Sequence, residues 1–156
     1  MQFLVRMHKA SGWLHRSRLK PLSRIVDGAI RVLYSARIPA QASIDPTVHF
    51  SHNALAVVIT HEARIGPRCQ IGIQVLLGSR WPVLGAPILE EDVIVHAGAK
   101  VIGPVRIGRG SVIGANAVVL TDIPAFSLAV GIPAVIKKTA INISDYRDDD
   151  LMADVA

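Results

Sequence analysis

Three histidines, His49, His52 and His61, fall within thirteen residues of a chain of 156. An imidazole titrates near neutrality, so a histidine presented at a bend can take a proton from a group that must become a nucleophile. The same three side chains raise metal ligation. No acidic or Cys partner completes the set, and no metal is expected. His49, His61 and a fourth candidate, His96, read as turn residues facing solvent. Cys69 is the single cysteine. It allows neither an intramolecular disulfide nor a thiolate cluster, and it sits at a small, inward-tending position that reads as core. A reducing, cytoplasmic setting is the simplest one for such a chain.

The elements that must position these residues announce themselves by a step of six. From Ile59 the step meets Ile65, Ile71, Leu77, Val83, Leu89, Val95, Val101, Ile107, Ile113, Val119 and Ala125; eleven of these twelve positions are Ile, Val or Leu. Four residues after most of them stands a small or β-branched side chain, such as Ala63, Cys69, Val75, Ala99, Ser111 or Ala117. This period belongs neither to a helix nor to an isolated strand pair. It is the mark of a hexapeptide β-helix, in which three hexads make a triangular coil of about 18 residues. Residues 38–135 then allow roughly five coils. An earlier run, Ile38, Ile44 and Phe50, keeps the step but is three residues out of phase. The irregularity between Phe50 and Ile59 is where a corner can bulge, and His52 lies in it. Gly78–Pro87, with two Pro and a Trp, reads as a loop that leaves the prism, and Val83 keeps phase there by accident.

This packing also explains an odd composition. Hydrophobic residues make up 51% of the chain and aromatics 4%, with a mean hydropathy of +0.41. No run of about 18 apolar residues occurs, so a membrane-spanning helix is not expected. Arg6, His8 and Lys9 interrupt any signal-peptide core. A narrow prism filled by one aliphatic residue per hexad uses Ile, Val and Leu and has no room for rings.

Three segments follow. Residues 1–37 read as a basic helical head, with apolar residues at three- and four-residue spacing (Phe3, Leu4, Met7, Ala10, Trp13, Leu14; then Leu22, Ile25, Val26, Ala29, Ile30, Leu33) and breaks at Gly12 and Lys20-Pro21. Eight of the 17 Lys and Arg but one of the 12 acidic residues lie in residues 1–40. The head is expected to cap the prism, and its cationic face can also touch anionic lipid as a peripheral membrane contact. Nucleic acid is not an expected partner, because no stacking aromatics accompany the basic run. Residues 38–138 are the repeat domain. Residues 139–156 lose the period and read as a loosely attached acidic tail.

The motifs Phe50-Ser51-His52-Asn53, Val57-Val58-Ile59, Ala97-Gly98-Ala99-Lys100-Val101-Ile102-Gly103 and Gly131-Ile132-Pro133-Ala134 resemble, in order and spacing, the hexapeptide-repeat acyltransferases. Within them the resemblance is closest to the serine acetyltransferase-like branch, over about residues 20–138. It implies a left-handed parallel β-helix with an N-terminal α-helical cap, a homotrimer with sites between subunits, acetyl-CoA as acyl donor and a small-molecule acceptor. His52 matches the family's general base. Ala97, Gly98, Ala99, Ala115 and Ala117 would let pantetheine lie against the backbone. Gly131 belongs to a coenzyme-contacting loop, and Lys137 and Lys138 after it can meet phosphate charge.

The departures from the pattern bear on the acceptor. Ser51 stands where the serine-specific enzymes have Asp. Gly85-Ala86-Pro87 stands for their Arg-His-Pro step, and the Asp that orients the base falls near Arg37. Ser51, Asn53 and Arg80 are the residues left to hold an acceptor, Arg80 only if its loop folds over the site. The expected activity is an acetyl-CoA-dependent O-acetyltransferase. Its acceptor is serine or, favoured by these departures, a sugar of a surface-polysaccharide pathway. The alternative is a non-catalytic trimeric scaffold or binding module.

Overall fold

The computed structural model describes residues 2–147. Helices α1 (Gln2–Arg16) and α2 (Lys20–Tyr34) precede a parallel β-helix of three sheets. One face stacks Ser43–Ile44, Arg64–Ile65, Ile88–Leu89 and Arg106–Ile107. A second stacks His49–Phe50, Gln70–Ile71, Ile94–Val95, Val112–Ile113 and Leu128–Val130, closed by the antiparallel strand Val135–Lys138. The third stacks Val58–Ile59, Leu76–Gly78, Lys100–Ile102 and Val118–Val119. Four turns are complete. The expected fifth is only partial, made by the Ile123 bridge and Leu128–Val130, while at the other end of the prism Arg37 bridges Val58.

The repeat arithmetic holds inside the prism. Ile59, Ile65, Ile71, Leu77, Leu89, Val95, Val101, Ile107, Ile113 and Val119 are all buried, as are the small residues four places on. Six corners of two faces turn on a residue in the left-handed region: Arg68, Gln74, Asp92, Gly98, Gly110 and Asn116, each three places after its inward aliphatic. Two positions depart. Val83 is exposed, since it lies in the extruded loop. Ala125 is an exposed turn residue, because the chain saves two residues after Val119 and Ile123 and Ala129 take the inward places opposite Ile107 and Ile113.

The head departs more. Gly12 lies inside α1, where a Cβ would stand 3.3 Å from the Ala40 carbonyl oxygen, and the break is at Arg18, with φ 63°. The buried face of α1 is Leu4, Val5, His8 and Ser11, leaving Phe3 and Trp13 exposed. The reason is polar. Ser11 Oγ donates to Asp27 Oδ1 at 2.6 Å, the Ala40 amide donates to Asp27 Oδ2 at 3.3 Å, and His8 Nε2 is 3.1 Å from the Ala42 carbonyl. Buried polar groups must be paired, and these pairs fix which way the helices face. On α2, Leu22, Ile25, Val32 and Leu33 point outward as a consequence. No helix among the described residues is long and apolar enough to cross a membrane.

Candidate active site

The coil that contains His52 exceeds the regular length by half a hexad. Phe50 pairs with Ile71, a step of 21 residues, whereas Val95 pairs with Ile113, a step of 18. The three extra residues are wound into a tight turn at Ser51–Ala54. His52 (φ 47°), Asn53 (φ 58°), Ala54 (φ 57°) and Ala56 (φ 56°) all adopt the left-handed region. For residues with a Cβ this costs roughly 1–2 kcal/mol each, least for Asn. Ala54 and Val57, both fully buried, anchor the turn and hold it in this state. The result is an imidazole thrown outward at a corner, its side chain exposed.

His52 opens onto a cleft of about 240 Å³. Ser51 and His52 line it from the turn, Gln70, Gly72 and Ile73 from the next coil, and Ile94, Val95, His96 and Ala97 from the coil after that; Tyr146 closes one side. The register explains the opening. Ser51, Gly72 and His96 follow the stacked residues Phe50, Ile71 and Val95, so Gly72 lies between the two histidines. A Cβ there would come within 2.6 Å of the Ala97 amide nitrogen, so the position excludes any side chain and leaves the floor bare. His96 is exposed at the rim, yet the protein packed around it disfavours the imidazolium and lowers its pKa.

The residues expected for the coenzyme divide into two sets. Ala97, Ala115 and Gly131 stand two places after Val95, Ile113 and Ala129, so they form one exposed column that climbs the prism from the cleft. Lys137 and Lys138 are exposed on the antiparallel strand at the top of that face. Ala99 and Ala117 point inward and are fully buried, closing coil corners. Gly98 takes φ 73°, and a Cβ there would collide with Asn116 Oδ1, so a side chain would block the turn. Asn53 is exposed beside His52 but does not line the cleft, and Arg80 sits in the extruded loop, bridging Val83.

Two other histidines resolve differently. His61 is exposed and 3.7 Å from Glu62. His49, expected on a turn in solvent, is instead a buried strand residue beneath the His52 turn, because the strand begins one residue before Phe50. Cys69 is core: its thiol donates to the Glu90 carbonyl at 2.9 Å, and burial pushes its pKa up to about 12, far from a thiolate at neutral pH. Among the described residues no three His, Cys, Asp or Glu gather to hold a metal.

The tail hid a contributor. Arg147 donates to Asp92 Oδ1 at 3.0 Å and to the Arg68 carbonyl at 3.1 Å, and this fixes Tyr146 against the cleft. Arg68 also binds Asp92, and the two guanidinium groups hold the Asp92 carboxyl below its ordinary pKa. The loose tail expected from the loss of period after Thr139 instead binds back: the Ile141 amide donates to the Phe126 carbonyl at 2.9 Å, and Ile141 and Tyr146 are half-buried. The acidic run Asp148 to Asp150 and Asp154 lies outside the described residues.

A parallel β-helix wound from hexapeptides, with a histidine bulged from one corner beside a column of small residues, has the fold of the hexapeptide transferases. Residues 86–121 match the family of bacterial transferase hexapeptide (six repeats). Within that class the chain is similar to the serine acetyltransferases. That of Synechococcus elongatus is 35% identical over 150 residues, covering 94% of this chain and 61% of the relative. A solved serine acetyltransferase in complex with cysteine superposes with a TM-score of 0.86 at 27% identity, covering 94% of this chain and 60% of that one. Another, in complex with CoA, gives 0.81 at 28% identity, covering 87% and 57%. The chain spans about three fifths of the length of these relatives.

Proposed function

We propose that this β-helix is an acetyl-CoA-dependent O-acetyltransferase with His52 as general base. The observation that carries the reading is the strained turn: four left-handed residues with side chains hold the His52 imidazole at the mouth of a cleft. Such strain persists where surrounding packing enforces it, and it gathers at functional sites. The likeness to a CoA-bound serine acetyltransferase supports the donor.

In this mechanism His52 accepts the proton of an acceptor hydroxyl as its oxygen bonds to the thioester carbonyl carbon. The carbon–sulfur bond then breaks, and the proton passes from the imidazolium to the departing thiolate. No acyl-enzyme forms. The thioester end lies at the cleft, pantetheine runs along Ala97, Ala115 and Gly131, and Lys137 and Lys138 meet phosphate charge. The acceptor is a hydroxyl compound, a sugar in preference to serine, since Ser51 and Gly85-Ala86-Pro87 supply neither acid nor cation for an amino acid. Ser51 and Asn53 flank the acceptor side; Arg80 joins them only across a loop movement or from a neighbouring copy. His52→Ala should slow acetyl transfer by about 10²-fold or more with the fold intact; full retained turnover would remove the base assignment. A non-catalytic scaffold instead would bind no coenzyme A in a calorimetric titration.

The chain works as a homotrimer in this reading, with the outward stripe of α2 as part of the contact between copies. Light scattering should give three times the 16.7 kDa chain mass. The flanking Arg24 and Arg31 also suit the peripheral membrane contact, to which co-sedimentation with anionic vesicles is the check. A cytoplasmic setting completes the proposal, since acetyl-CoA must reach the groove.

A further inference from the structure

The cleft holds more chemistry than a general base uses. His96 lines it two coils away from His52, and Gly72, on the coil between, brings no side chain into it. Gln70 lines the same cleft; it is 7% exposed, and its side-chain nitrogen is buried without a hydrogen-bond partner. An unpartnered buried donor costs about 1–3 kcal/mol, and a ligand oxygen that meets it recovers that cost. Among the described residues no Lys or Arg lines the cleft.

We propose that His96 and Gln70 form the acceptor-binding side of the cleft and select a neutral polyhydroxyl compound, of the sugar class, over an amino acid. This rests on the reading of His52 as the base. One hydroxyl of the acceptor lies on His52 and gives up its proton there. A neighbouring hydroxyl bridges to His96, whose neutral ring offers one donor and one acceptor, and to the free amide nitrogen of Gln70. The lowered pKa of His96 keeps that ring uncharged in neutral solution, so it can serve a hydroxyl in both directions. A zwitterionic acceptor would bring a carboxylate to a wall where no described residue of the same chain offers a cation, while a hydroxyl can pair with both His96 and Gln70.

The test uses the full chain with acetyl-CoA, following thiol release with glucose, galactose, mannose and N-acetylglucosamine, and with L-serine as the charged comparison. At least one sugar should be turned over with a kcat/KM tenfold or more above that of L-serine. His96→Ala and Gln70→Ala should each raise the KM for that sugar about tenfold and change its kcat less than threefold. His96→Asn, which keeps a donor and an acceptor, should recover part of the loss. Circular dichroism and thermal melting establish that each variant is folded. The proposal is overturned if L-serine is the better substrate, if no sugar is turned over, or if both alanine variants leave the sugar KM unchanged. His52→Ala is assayed beside them. If it alone keeps full activity, the base reading fails, and the KM effects at His96 and Gln70 report separately on acceptor binding.

Discussion

Two insertions interrupt the six-residue rhythm, and they behave oppositely. At Ser51–Ala54 three extra residues are wound tightly against the prism, with Ala54 fully buried and His52 presented outward. At Gly78–Pro87 six extra residues leave the prism: Leu77 pairs with Val101, 24 residues on, and Trp81 and Leu84 are 87% and 82% exposed. The difference lies in arithmetic. Three residues shift the phase, so the coil must absorb them at a corner and strain the backbone. Six restore the phase, so the chain can loop out and return to the same inward register at no cost to the wall. A phase shift is visible in the sequence; a whole hexad looped out is not, apart from its Pro and Trp. The constrained interruption is the one that carries the proposed chemistry.

The largest effect expected from breaking this contrast is at the tight turn. His52→Ala should lower kcat for acetyl transfer by about 10²–10⁴-fold, the usual contribution of a positioned base. The melting temperature should stay near that of the parent, because the side chain is exposed. Equal loss of activity and of fold would show that His52 is structural.

Next comes the pair Leu77 and Val83, adjacent in the six-residue series but on opposite sides of the interruption. Leu77 is fully buried, and Leu77→Ala should cost about 2–5 kcal/mol in denaturant unfolding. Val83 is 47% exposed, and Val83→Ala should stay within about 0.5 kcal/mol. Similar losses at the two positions would mean that Val83 fills the prism after all.

Asn53→Gly sharpens the contrast from the other direction. Glycine occupies the left-handed region without a Cβ penalty, while its freer unfolded chain works against folding. Relief at φ 58° should leave the protein stabilised or unchanged, within about 1 kcal/mol. A clear destabilisation would show that the Asn53 side chain itself holds the turn.

The repeat made the prism legible because each hexad puts its inward residue in an equivalent place, so one rule reads all three faces. The same rule located His52 without any view of the turn. The helical head was legible as helices but not as faces. Its interior is set by Ser11, Asp27 and His8 finding partners in space, and a stripe of apolar residues at helical spacing cannot foresee that. The cleft needed stacking between coils that residue order does not display: Gly72 and His96 are 24 residues apart and neighbours only through the looped-out hexad. Tyr146 joined it through the Arg147 anchor on Asp92, a contact across 55 residues.

The smallest effect should follow from removing residues 79–84 altogether. Joining Gly78 to Gly85 leaves Leu77 six residues before Leu89 and returns that coil to the regular length. The loop contributes one exposed side-chain hydrogen bond to the prism, Ser79 with Thr60 at 3.2 Å, and its Trp81 and Leu84 face solvent. Closing a shorter connection is slightly favourable in entropy, by roughly 0.6 kcal/mol per halving of loop length. Gain and loss nearly cancel, so the melting temperature should move by no more than about 4 °C. A fall beyond 10 °C or so would mean that the loop braces the wall. The two interruptions would then be alike in energy, and only the histidine would distinguish them.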